Sequence, residues 1–87
     1  MADKIIVVRG IKVPKENDKF KTTKFLRLVR DVQEGDVAKV FDLFDYVFGP
    51  GKFDEVEAAL ADPETGDTPF QDVMDWFNEV AEEVAKN

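Results

Sequence analysis

Residues 36–51 read Asp36-Val37-Ala38-Lys39-Val40-Phe41-Asp42-Leu43-Phe44-Asp45-Tyr46-Val47-Phe48-Gly49-Pro50-Gly51. Val37, Val40, Phe41, Phe44, Val47 and Phe48 recur at i, i+3, i+4, i+7, the repeat of one apolar helix face. Asp36 is placed to cap this helix, and Gly-Pro-Gly stops it. Upstream, Phe25, Leu28, Val29 and Val32 keep the same spacing, with Thr22 or Thr23 as cap and Gly35 as stop. Downstream, a short helix near 52–61 carries Phe53, Val56 and Leu60, and a turn-rich loop follows at Asp62–Asp67. The last helix has Thr68 as expected N-cap, Pro69 at N1 and Gln71 at N3, a Thr-x-x-Gln capping box. Its stripe is Phe70, Val73, Met74, Phe77, Val80, Ala81 and Val84.

Before these helices, Lys4-Ile5-Ile6-Val7-Val8 and Ile11-Lys12-Val13 are strand-like, and Pro14 ends the element. Arg9-Gly10 between them reads as a continuous strand or as a two-residue turn, since Gly supplies one of the positive φ angles that type I′ needs. The expected fold is α+β, mainly α: a short N-terminal strand or hairpin, then a compact bundle of three to four short helices. One domain covers 1–87, with the β element at 1–13, a polar connector at 14–21 and the helical bundle at 22–87. Phe41, Phe44, Phe70 and Phe77 are expected in one shared core.

The 87 residues contain no cysteine and no histidine, which excludes disulfides, thiolate chemistry and the commonest general base and metal ligand. The apolar run at Ile5–Val8 is too short for a signal sequence or a membrane span, and a cytoplasmic location is expected. Charge is uneven along the chain. Twelve basic and nineteen acidic residues give a net −7. Residues 1–30 hold nine basic and three acidic side chains, so the remainder carries −13. This acidic balance argues against nucleic acid as partner.

Chemical motifs fail on spacing. A calcium loop starting at Asp62 needs Gly at its sixth and Glu at its twelfth position, where Asp67 and Val73 stand. Gly49-Pro50-Gly51-Lys52 lacks the phosphate-loop pattern. The absence of serine excludes an acyl-carrier role for the Phe53-Asp54-Glu55-Val56-Glu57 helix. Carboxylate pairs such as Asp42/Asp45 and Asp72/Asp75 are expected on outward helix faces. No catalytic residue, cofactor, metal, small-molecule substrate or membrane contact is expected.

Three large side chains lie off the stripes: Leu43, Tyr46 and Trp76. They read as anchors for a protein partner, with Glu79 and Glu83 as an acidic rim, or as residues covered by a second layer. Ile5, Ile6, Val7 and Val8 put apolar groups on both faces of a strand, an expected route to self-association.

The order of elements resembles the small tail assembly chaperones of long-tailed bacteriophages and prophages. The resemblance rests on a helix ending Gln33-Glu34-Gly35-Asp36, a Phe-rich helix closing on Phe48-Gly49, and the short acidic helix with Phe53, Val56 and Leu60. The Asp62-to-Thr68 loop and the final Val80-Ala81-Glu82-Glu83-Val84-Ala85-Lys86-Asn87 complete it. It covers about residues 22–87. It implies a protein that binds the tape measure protein during tail assembly and leaves before the virion is complete, in some cases with a frameshifted longer form. The alternative class is a small acidic inhibitor that mimics nucleic acid and occupies a DNA-binding protein.

Overall fold

Arg9 and Gly10 turn the chain back on itself with φ of 51° and 81°, so the hairpin, not the single strand, is formed. Positive φ at both turn positions matches the twist of the flanking strands, and only Arg9 carries a Cβ there. The computed structural model describes residues 4–86. Strand β1 (Ile5–Val8) pairs antiparallel with β2 (Ile11–Pro14) in the register Ile5↔Pro14, Ile6↔Val13, Val7↔Lys12, Val8↔Ile11. Helices α1 (Thr23–Gln33), α2 (Lys39–Phe48), α3 (Lys52–Ala59) and α4 (Phe70–Ala85) follow, and a 3-10 helix, Asp18–Lys21, occupies part of the expected connector. The architecture is α+β and mainly α. The chain gathers into two compact units, residues 1–17 with 54–87 and residues 18–53.

In the first unit the hairpin lies on α4. Val8, Ile11 and Val13 are buried on one face, together with Val56 of α3 and Val73, Trp76, Phe77 and Val80 of α4. The indole Nε1–H of Trp76 donates to the Val8 carbonyl at 2.9 Å. Lys15 reaches the far end of α4 and donates to the carbonyls of Glu83 and Lys86, the latter at 2.7 Å. An ammonium at a helix C-terminus satisfies orphan acceptors and complements the dipole.

The second unit is built on α1 and α2. Leu28 and Val32 of α1 and Val40, Leu43, Phe44 and Val47 of α2 are buried. Six phenylalanine rings form a continuous chain: Phe25 to Phe20 at 5.1 Å, Phe20 to Phe48 at 6.1 Å, Phe48 to Phe44 at 5.6 Å, Phe44 to Phe53 at 5.1 Å and Phe53 to Phe41 at 4.7 Å. All five contacts are tilted or edge-to-face, the arrangement ring quadrupoles favour.

The helix ends explain themselves chemically. Thr22 caps α1, its hydroxyl accepting from the Phe25 N–H. Gly35, at φ 109°, closes α1 in a Schellman motif: Asp36 N–H bonds the Asp31 carbonyl and Gly35 N–H the Val32 carbonyl. Two expected caps are corrected. Helix α2 begins after Ala38, because the carbonyls of Asp36, Val37 and Ala38 each accept from the residue three ahead, a tight 3-10 entry that leaves the Asp36 side chain unused as a cap. Thr68 does not cap α4, whose N-cap is Pro69; its hydroxyl donates instead to the Glu57 carbonyl at 2.6 Å, an orphan acceptor in the last turn of α3.

Two core assignments are also corrected. Phe44 and Phe77 are buried, but Phe41 is 53% and Phe70 42% exposed. The buried arc of α2 is Val40, Leu43, Phe44, Val47, and that of α4 is Val73, Trp76, Phe77, Val80, the same spacing in both. A stripe begun at Val37 or Phe70 is rotated from this arc, since Val37 precedes the helix and Phe70 opens it. Phe44→Ala should therefore cost about 3–5 kcal/mol, as core Phe truncations do. Phe41→Ala should cost only about 0.5–1.5 kcal/mol, the scale of one ring contact. Urea unfolding followed by circular dichroism separates the two; equal midpoints would invalidate the burial order. In the first unit, Trp76→Phe, which keeps most of the volume but removes the donor to Val8, should cost about 1–3 kcal/mol in the same assay.

Candidate protein-binding surface

The expected anchors Leu43 and Trp76 are fully buried. Each is the second buried residue in the Val-x-x-(Leu/Trp)-Phe-x-x-Val arc of its helix, so packing holds it inside and it offers no surface to a partner. Tyr46 is half-buried and committed locally. The Thr22 hydroxyl donates to the Lys19 carbonyl at 2.9 Å and accepts from the Phe25 N–H at 3.2 Å. Its single proton is thereby used, so at the 2.7 Å contact between the two hydroxyls Tyr46 is the donor. The ammonium groups of Lys19 and Lys24 stand 4.8 and 4.9 Å from the Tyr46 ring centroid, within cation–π range. Tyr46 thus locks the start of α1 from α2.

The expected rim is likewise engaged. Glu79 pairs with Arg9 at 2.6 Å, and Glu83 with Lys86 at 3.0 Å. Both pairs keep substantial solvent exposure, where screening and side-chain entropy leave such contacts little net worth. The Glu83 hydrogen bond, and then its charge, raises the pKa of the exposed Lys86 above its ordinary value. The Lys86 ammonium is therefore charged at neutral pH, and its contribution to the pair is lost as pH rises through the raised value.

What the fold leaves outside is different from what the helical stripes suggested. Val37 and Phe41 are 51% and 53% exposed in the second unit, and Leu26 is exposed on α1. In the first unit Ile5, Val7 and Phe70 are exposed. Of the self-association residues, Ile5 and Val7 thus face solvent, Ile6 is half-buried and Val8 lies inside. These side chains were legible as apolar, but their exposure depends on helix phase, which small shifts at an N-terminus decide.

Charge follows the two units more closely than the two halves of the sequence. Residues 1–17 and 54–87 carry thirteen acidic and five basic side chains, net −8; residues 18–53 carry six acidic and seven basic, net +1. Lys19, Lys21, Lys24, Arg27 and Arg30 are all exposed on the 3-10 helix and α1. Among the described residues no ionisable side chain is buried, no group of three or more acidic side chains is arranged to hold a metal ion, and no helix is long and apolar enough to cross a membrane.

Compared with protein-family models, with curated proteins and with solved structures, the chain matches none.

The Thr22–Tyr46 latch makes a specific expectation. Thr22→Val should cost about 1–2 kcal/mol by removing the cap, Thr22→Ser close to nothing, and Tyr46→Phe about 1 kcal/mol. The double variant Thr22→Val/Tyr46→Phe should cost less than the sum of the singles, because both remove one shared hydrogen bond. Strict additivity in urea midpoints would show that the two hydroxyls do not interact.

Proposed function

We propose that this chain works by binding another protein, and that it is a chaperone of the phage tail-assembly type, covering apolar stripes of a long helical client until that client is assembled. The observation that carries the reading is the outer end of the phenylalanine chain. Phe41 touches Phe53 at 4.7 Å yet remains 53% exposed, with Val37 open beside it in sequence. An aromatic ring held on one side by edge contact and wet on the other is a ready anchor, since partner burial gains about 25 cal/mol per Å² at little cost in side-chain order. Asp36, Lys39 and Asp42 adjoin these residues in sequence and supply a polar rim. The net charge of −7 gives each coated client a strongly negative surface, and repulsion between coated clients keeps them dispersed. The resemblance in element order supplies the client class, the tape measure protein.

Co-expression with the product of the long reading frame expected directly downstream, followed by pull-down and a solubility assay, tests the reading. Phe41→Ala should weaken client binding by about 2 kcal/mol or more, some thirtyfold, while the fold persists. Phe70→Ala, in the other unit, should leave binding unchanged. A wild-type chain that never binds or solubilises this client would overturn the chaperone reading. The net −8 of the first unit would then favour the acidic inhibitor of a DNA-binding protein.

A further inference from the structure

The hairpin is a two-stranded sheet, so both of its strands are edges. The hydrogen-bond pattern decides which edge is usable. The Lys15 N–H bonds the Lys4 carbonyl at 2.9 Å, one pair beyond Ile5↔Pro14. In an antiparallel ladder bonded and non-bonded pairs alternate. Ile6↔Val13 and Val8↔Ile11 are therefore bonded pairs, and Ile5↔Pro14 and Val7↔Lys12 are not. The main-chain groups of Ile5 and Val7 point away from β2, and those of Lys12 and Pro14 point away from β1. On the β2 edge Pro14 has no N–H and Lys12 brings a charge, two devices that blunt an edge. The β1 edge has neither. It presents the N–H and C=O of Ile5 and Val7, whose side chains are 56% and 59% exposed.

We propose that β1 pairs edge to edge with β1 of a second copy, antiparallel about a two-fold axis, to make a four-stranded sheet in the order β2-β1-β1-β2. This inference stands apart from the client-binding reading and uses a different surface. Outward-pointing groups must meet outward-pointing groups, so Ile5 bonds Val7 of the second copy and Val7 bonds its Ile5. Ile6 then faces Ile6 across the axis as a non-bonded pair. On the outer face each row runs Pro14, Ile5, Val7, Lys12 across the sheet, and the four exposed β-branched side chains cover one another. Two strands alone are marginal and four are not. Charge agrees: the pairing brings Lys4 opposite Val8 of the second copy, at the hollow lined by Val7, Val8, Arg9, Glu79, Glu82 and Glu83. Of those six lining residues three are carboxylates and one, Arg9, is a cation, so the Lys4 ammonium of the second copy brings a complementary charge.

The chain contains no cysteine, which gives a clean test. Ile6→Cys should oxidise to a disulfide-linked dimer, because facing Cα atoms in a non-bonded pair lie about 4.5 Å apart, within disulfide reach. Sedimentation equilibrium of the wild-type chain should give twice the chain mass, and Ile5→Lys/Val7→Lys should give a folded monomer with unchanged helical circular dichroism. A wild-type chain that stays monomeric up to hundreds of micromolar overturns the proposal. So does a dimer in which Ile6→Cys fails to cross-link. If the lysine variant unfolds, the cross-link decides. If the edge substitutions instead abolish binding of a client by a monomeric wild type, the β1 edge serves another chain and the second-copy pairing is wrong.

Discussion

The hydrogen bond from the Trp76 indole to the Val8 carbonyl fixes the first unit. A hairpin this short is not stable by itself, and its inner face needs a partner. Trp76 supplies both the apolar surface and a donor for a carbonyl at the mouth of the turn, so the hairpin is held at one place on α4. Lys15 then closes the other end by capping the helix C-terminus. These two contacts span α4 from its middle to its last turn, and the buried residues of the hairpin lie between them. In the second unit Thr22 has the comparable place: one hydroxyl caps α1, tethers the 3-10 helix through Lys19 and receives Tyr46 from α2.

Much of this fold was readable because local chemistry agreed with it. Gly35 and Gly49-Pro50-Gly51 mark element ends by mechanisms that need no tertiary information, while at Arg9-Gly10 and at Thr22 or Thr23 local chemistry narrowed the choice to two alternatives. The failures come from helices that are apolar on more than one side. Helix α2 offers Val40, Phe41, Leu43, Phe44, Val47 and Phe48, so two stripes of valid spacing exist and packing chooses between them. The chosen one takes Leu43 and leaves Phe41 outside. In α4 the same choice takes Trp76 and leaves Phe70. A surface anchor inferred from the leftover residues of the wrong stripe is then a core residue, which is what befell Leu43 and Trp76. Tyr46 failed differently. Its hydroxyl partner lies 24 positions away, a distance no local pattern encodes.

Charge gave a partial reading for a related reason. The linear division into a basic third and an acidic remainder is real, but folding sorts it again. Lys4, Arg9, Lys12 and Lys15 join the acidic helices in one unit, and Arg9 and Lys15 are spent on α4. The bases of the 3-10 helix and α1 stay with the other unit, where six carboxylates nearly balance them. The molecule is thus less a dipole of sequence halves than an acidic unit joined to a nearly neutral one.

The two units also differ in chromophore. Trp76 is the one tryptophan and belongs to the hairpin–α4 unit; Tyr46 is the one tyrosine and belongs to the α1–α2 unit. Each unit therefore carries its own optical label, buried or latched at the centre of its packing. Indole emission reports the loss of one unit and phenol absorbance the loss of the other, within a single unlabelled sample. Whether the chain unfolds as one cooperative body or as two becomes a matter of overlaying two curves, with no substitution needed.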